Sequence, residues 1–237
     1  MMKFSDNYIF SESDFDTFGN ILPSKVLDVF QILAGNHASQ LGIGFHSMLD
    51  RHLLWVVTQI KYQVCADIAP GQQVTGITWP LPPTRHGFER QYLICDSDGN
   101  ILIKGTSNWA LIDTETRHLA SVSDVYPEGE HCTDRNFDEK IRRLRDFDAV
   151  GETFEICPDE STIDRNGHVN NTNYAEFVRA ALGCFGGKID TFQIDFINEV
   201  MCHQKLYIQH AVSGTTTLVK GLSDDDKRMF TCSITLK

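Results

Sequence analysis

Residues 25–35 read Lys25-Val26-Leu27-Asp28-Val29-Phe30-Gln31-Ile32-Leu33-Ala34-Gly35. Polar side chains fall only at 25, 28 and 31, and every other position before Gly35 is apolar. The same pattern returns 148 positions on (Asp16 to Asp164). There Asn173, Glu176 and Arg179 stand for Lys25, Asp28 and Gln31, among Tyr174, Ala175, Phe177, Val178, Ala180, Ala181 and Leu182. That offset also carries Asp16-Thr17-Phe18-Gly19 onto Asp164-Arg165-Asn166-Gly167, and Gly35 onto Gly183. Similarity at one fixed offset marks a repeated supersecondary unit. Each copy predicts a helix with a narrow polar stripe and an apolar surface nearly all round. Pro23 suits a first helical turn, and Gly35 and Gly183 suit helix ends. Such a helix cannot lie on a surface, and a curved sheet is the simplest wrapping.

The sheet follows each helix. Val56, Thr58, Ile60, Tyr62 and Val64 alternate with Val57, Gln59, Lys61 and Gln63, the period of a half-buried strand. Phe192, Ile194 and Phe196 alternate with Thr191, Gln193 and Asp195 in the same way. Gln59-Ile60 meets Gln193-Ile194 at a shorter offset than the helices do, so copy one carries extra residues within Asn36 to Leu54. Further strands are expected at Val74 to Trp79, Glu89 to Cys95, Ile101 to Ile112, Lys205 to Val212, Thr215 to Leu222 and Met229 to Leu236. Asp98-Gly99-Asn100 and Ser223 to Asp226 supply turns between hairpin partners. The expected architecture is α+β: two tandem units, each one helix gripped by a curved antiparallel sheet. The division is residues 1–125, a charged connector at 126–148 and residues 149–237. A short helix is expected at Lys140 to Arg145.

Composition limits the function. The 237 residues carry 21 Lys and Arg against 32 Asp and Glu, a net charge of −11. A nucleic-acid binder would need a basic face, so that class is set aside. The longest aliphatic-aromatic run, Leu53 to Val57, is far short of the roughly 20 residues that span a bilayer. No apolar run follows the Lys3 region, so a cytoplasmic protein without a secretory leader is expected. The seven cysteines are scattered without a C-x-x-C pair, which suits reduced core thiols better than disulfides or zinc. The nine histidines show no metal spacing; Cys202-His203 would need distant partners. No cofactor and no metal are therefore expected.

The copies differ most at the helix entrance. Copy two reads Asp164-Arg165-Asn166-Gly167-His168-Val169-Asn170-Asn171-Thr172-Asn173-Tyr174; copy one has Phe18 in place of Asn166 and Asn20 in place of His168. A carboxylate, an amide and an imidazole thus precede a helix N-terminus in one copy only. Unpaired N–H groups and the positive dipole end there favour an anionic or developing oxyanion group. An imidazole, titrating near neutrality, can hold or move a proton beside it. The same residue types are also the ordinary vocabulary of turns and caps, and Asn170 or Asn171 could simply cap the helix.

The stretch from Asp164 to Tyr174 resembles the hot-dog acyl-acyl carrier protein thioesterases of plants and bacteria. So do Gly35-Asn36-His37-Ala38 with Gly42, Leu54 to Thr58, Gly105-Thr106-Ser107-Asn108-Trp109 and Thr116-Arg117-His118-Leu119. The resemblance runs from about Phe10 to the end. It implies a double hot-dog fold and hydrolysis of a fatty acyl thioester on acyl carrier protein, releasing free fatty acid and ending chain elongation. Carried over by position, the catalytic residues are Asp164, Asn166, His168 and, on the strand after the second helix, Glu199. Where the plant enzymes have Cys after that Glu, this chain has Val200, so a thiol there is not required. On this reading Glu199, helped by His168, activates water or attacks directly. Asn166 orients the attacking group or the carbonyl, Asp164 holds the local network and tunes His168, and backbone N–H groups at Val169 to Asn171 receive the oxyanion.

Copy one would line the acyl pocket, with Val26, Phe30, Leu33, Trp55, Trp79 and Phe88 open to a lining or a core role. Because acyl carrier protein is itself acidic, docking needs a local basic patch. Lys140, Arg142, Arg143 and Arg145 are the densest candidates, with Arg85, Arg90, Lys104 and Arg117 as others. Homodimer formation through sheet edges is also open. The rivals are an acyl-coenzyme A thioesterase of the same fold and a non-catalytic acyl-binding protein. A hot-dog hydratase fits poorly: its motif has Pro where Gly167 stands and a longer spacing to His.

Overall fold

The structure is a computed structural model that describes residues 3–129, 131–164, 167–183 and 185–237. Its contacts divide the chain into two compact units, residues 1–10 with 29–141 and residues 11–28 with 142–237. Of the expected connector, 126–141 belongs to the first unit and 142–148 to the second.

The first unit holds β1 (Phe4–Ile9), most of α1 (Pro23–Gln40), α2 (Phe45–Leu49), β2 (Leu53–Val64), β3 (Gln73–Pro80), β4 (Gly87–Cys95) and β5 (Ile101–Asp113). Its strands pair antiparallel in the order β1-β3-β4-β5-β2. A register shift between Val57 and Gln59 bends β2 against β5, as bulges do. The helix lies on this sheet. Phe30, 1% exposed, stacks on Tyr92 at 4.1 Å and meets Tyr62 edge-on. Position 105 must be glycine because a Cβ there would run into the Phe30 ring. Val26, Phe30, Leu33, Trp79 and Phe88 are all buried, and Trp55 is half-buried.

Gly35 is not a helix end: α1 runs on to Gln40 and stops at Gly42. The extra turn carries His37, which is buried, stacked on Phe4 and within 3.2 Å of the Arg90 guanidinium through Nδ1. The residues inserted after the helix include α2. Arg90 is itself buried, so it leaves the set of surface cations. Its guanidinium also donates to Thr78 Oγ1 and lies over the Phe88 ring.

This pairing makes stability depend on pH. Burial first, and then the Arg90 charge, push the His37 imidazole from 6.5 down to about 4. Between those values the unfolded chain binds a proton that the native state refuses, so stability falls on acidification through that window and is level above it. Urea unfolding at about pH 5 should give a free energy up to about 2 kcal/mol below that at about pH 7.5 from this group. In His37→Gln that part of the slope should vanish; equal slopes in both proteins would exclude His37 as its source.

The second unit holds β6 (Phe154–Ile156), α3 (Asn173–Leu182), β7 (Ile189–Phe196), β8 (Leu206–Ser213), β9 (Thr216–Leu222) and β10 (Arg228–Leu236), with strand order β7-β10-β9-β8-β6. Helix α3 ends at Gly183, as expected. Tyr174 packs edge-on against Phe196 and Phe230. The polar stripes meet within this unit: Ser24 Oγ donates to Glu176, and the Thr172 hydroxyl bonds Asp28, whose carboxyl is raised by burial. Each unit is thus a helix gripped by a bent antiparallel sheet, the α+β tandem hot-dog arrangement that was expected.

The segment Lys140 to Arg145 forms neither a helix nor a strand. Leu144 N–H donates to Asp195 at 2.6 Å and the Arg142 carbonyl accepts from Gln193 at 2.8 Å, so its backbone is held by side chains of β7. The six described cysteines are free, but only Cys95 and Cys232 lie in the core; Cys184 is outside the described residues. Among the described residues no helix is long and apolar enough to cross a membrane.

Candidate active site

The site grows from a tight turn built the same way in both copies. Asp164 N–H donates to the His168 carbonyl at 2.7 Å, Gly167 N–H to the Asp164 carbonyl at 3.1 Å, and His168 N–H to Asp164 Oδ1 at 3.3 Å. Asp16, Gly19 and Asn20 repeat those three bonds at 2.9, 3.0 and 2.8 Å. Gly19 and Gly167 both hold positive φ, 73° and 82°, which closes the turn without a Cβ clash. Bridges Phe15 to Ile21 and Ile163 to Val169 complete the match. The repeat read from the sequence is therefore a repeat of hydrogen bonds.

What the turn carries differs. In copy one the Asn20 side chain is spent on structure: Nδ2 donates to Asp16 and to the Gly187 carbonyl, and Oδ1 accepts from Ile189 N–H. In copy two His168 turns its ring toward Glu199, with Nε2 and Oε2 3.3 Å apart. The two side chains are 22% and 39% exposed, so the pair is open to water. Asp164 holds the turn that presents His168, its carboxylate accepting from His168 N–H and its own N–H donating to the His168 carbonyl. Asn166 lies outside the described residues.

Glu199 is not on a strand. β7 stops at Phe196, and Ile197 and Asn198 both donate to the Met229 carbonyl, at 2.9 and 3.0 Å. The Asn198 amide donates to Arg228 O at 2.6 Å. Past that break, Val169 N–H donates to Val200 O at 2.8 Å and Met201 bridges His168. The segment just after Glu199 is thus stitched to the segment carrying His168, while the residues just before Glu199 are tied to β10.

Tyr174 completes the setting. Its hydroxyl is held against the Val200 backbone, and burial pushes its pKa well above the usual phenol range, with Glu199 and Asp164 adding to the rise. A phenol so placed stays protonated and fixes the Glu199 segment from below. The signal for it was available: at the matching position copy one has Val26.

Of the three expected oxyanion donors, two are already used. Val169 N–H serves Val200, and Asn170 N–H donates to Thr162 O at 2.9 Å. Asn170 also plays its conventional turn role, accepting from Thr172 N–H at 3.2 Å. Only the Asn171 N–H has no hydrogen bond among the described residues.

Known structures share this fold. An acyl-ACP thioesterase from Bacteroides thetaiotaomicron superposes with a TM-score of 0.84 at 20% identity, over 99% of this chain and 98% of that one. The 12:0-ACP thioesterase of Umbellularia californica gives 0.82 at 21%, over 98% and 96%. The chain is a tandem hot-dog protein. The family model described as the acyl-ACP thioesterase N-terminal domain matches residues 1–129, more than half of the chain, and the chain belongs to the acyl-ACP thioesterase family.

Among curated relatives, a chloroplastic acyl-acyl-carrier-protein hydrolase of Cuphea viscosissima is 30% identical over 162 residues, 63% of this chain and 39% of that protein. A palmitoyl-acyl carrier protein thioesterase of Gossypium hirsutum is 28% identical over 193 residues, 75% and 46%. The chain spans under half the length of these relatives.

Proposed function

We propose that this chain hydrolyses the thioester joining a fatty acyl chain to acyl carrier protein, releasing the free fatty acid. The observation that carries the reading is the 3.3 Å approach of His168 Nε2 to Glu199 Oε2 at the entrance to α3, in the copy that keeps imidazole and in that copy alone. Glu199 is the general base: its exposed carboxylate has water at hand, and the imidazole beside it holds its orientation and shares the proton it takes. The water oxygen adds to the thioester carbonyl, the oxyanion is received at the helix entrance with Asn171 N–H as the remaining backbone donor, and the carrier leaves as its thiol. Asn166 orients the reacting group and Asp164 holds the turn.

The test is hydrolysis of one acyl chain on both carriers, read as free thiol. Turnover should favour acyl carrier protein over coenzyme A. Preference for coenzyme A would reassign the carrier, and no hydrolysis of either would end the enzymatic reading. Exposed Arg142, Arg143 and Arg145 form the docking patch of this proposal, since the overall charge of −11 gives an acidic carrier no long-range attraction. Reversing all three to Glu should raise KM for the acyl carrier protein substrate about tenfold or more and leave the coenzyme A substrate little changed. Equal effects on both carriers would remove the patch from docking. A cytoplasmic setting accords with the free cysteines, and pairing of two chains would be read by light scattering.

A further inference from the structure

Glu160, Cys202 and His203 come from two segments that no linear spacing connects, yet their donor atoms all lie within 4.8 Å of one another. His203 Nε2 pairs directly with Glu160 Oε1 at 3.1 Å, close enough that both atoms could turn onto one shared ion. His203 N–H donates to the Pro158 carbonyl at 2.8 Å, which locks the two segments in register. One thiol, one imidazole and one carboxylate is a donor set that favours zinc over magnesium or calcium, which prefer oxygen alone. In a tetrahedral zinc site, S and N ligands sit about 3.5 Å apart. The three side chains, two exposed and Cys202 half-buried, need close by only about 1 Å to reach that.

We infer that Glu160, Cys202 and His203 form a binding site for a thiophilic divalent cation of the zinc class, apart from the His168–Glu199 pair. The location gives the ion a purpose. Cys202 follows Met201, which bridges His168, and lies three residues beyond Glu199. Glu160 opens the turn Glu160–Thr162, and the Thr162 carbonyl accepts from Asn170 N–H and Asn173 Nδ2. A bound ion would clamp the segment bearing Glu199 to the segment leading into the His168 turn. On binding, the Cys202 proton passes to solvent and the thiolate becomes the ligand.

The inference is tested by binding, so it stands or falls independently of the thioesterase reading. The full chain, stripped with a chelator and kept under a phosphine reductant, is titrated with Co(II) and then Zn(II). One Co(II) per chain should bind with a near-ultraviolet thiolate-to-cobalt charge-transfer band, and zinc should displace it. Cys202→Ser should abolish the band, and His203→Ala should weaken zinc binding by about tenfold or more. These positions are partly or fully exposed, so both variants should fold, which far-ultraviolet circular dichroism checks. Co(II) uptake without the band, a band that survives Cys202→Ser, or no uptake at all would overturn the site.

Discussion

Glu199→Gln should lower turnover on acyl carrier protein substrate by about 10²-fold or more, the usual cost of losing a general base, with the fold intact. The amide keeps the size and one acceptor of the carboxylate, so the bridge at Met201 and the Val200 bonds survive; what is lost is the group that takes the proton. His168→Ala should fall in the same range, because Glu199 then loses the imidazole 3.3 Å away. The double variant should be little worse than either single one, since groups acting as a unit are strongly non-additive. Tyr174→Phe, which removes only the hydroxyl at Val200, should cost far less. The measurement is kcat for each variant alongside its circular dichroism. Near-normal kcat in a folded single variant would remove that residue from the mechanism.

The second large effect concerns stability. Phe30→Ala should destabilise the protein by about 3–5 kcal/mol, the range for truncating a buried aromatic. Phe30 is 1% exposed, stacked at 4.1 Å on Tyr92, edge-on to Tyr62 and seated against the bare backbone of Gly105. These partners cannot follow a shrinking side chain, because Tyr92 is fixed by its hydroxyl on Ser107 at 2.9 Å. A hole is left that the sheet does not close. The midpoint of urea unfolding reads the change. A loss below about 1 kcal/mol would mean that the helix settles onto the sheet and fills the space.

The fold was legible where burial imposed a period. The six later strands lie within about two residues of their expected bounds because each has one face on the core. β1 was not legible: in Phe4–Ile9 nothing is buried, so no alternation marks its inner face. β6 is too short to carry a pattern. Gly35 misled because local propensity favours stopping there, whereas the Phe4 stack and the Arg90 contact reward another turn. Lys140 to Arg145 misled because its backbone partners, Gln193 and Asp195, are about fifty residues away in sequence.

The candidate site was half legible. The difference between copies at positions 18 and 20 against 166 and 168 is in the sequence itself. Glu199 reached the candidate set only through family resemblance, and the structure explains why. It follows a break in β7 where two successive N–H groups turn to Met229, so no strand period leads to it. The Glu160, Cys202 and His203 cluster escaped for a related reason, since its members meet only across folded segments.

Asn20 shows what became of the spare loop. Its amide reaches across the unit to Gly187 and Ile189, so the half without imidazole works as a fastener for the start of β7. Restoring histidine there would orphan a carbonyl and an N–H at once. The asymmetry is therefore self-reinforcing: a histidine at position 20 would first unpick the seam at the start of β7.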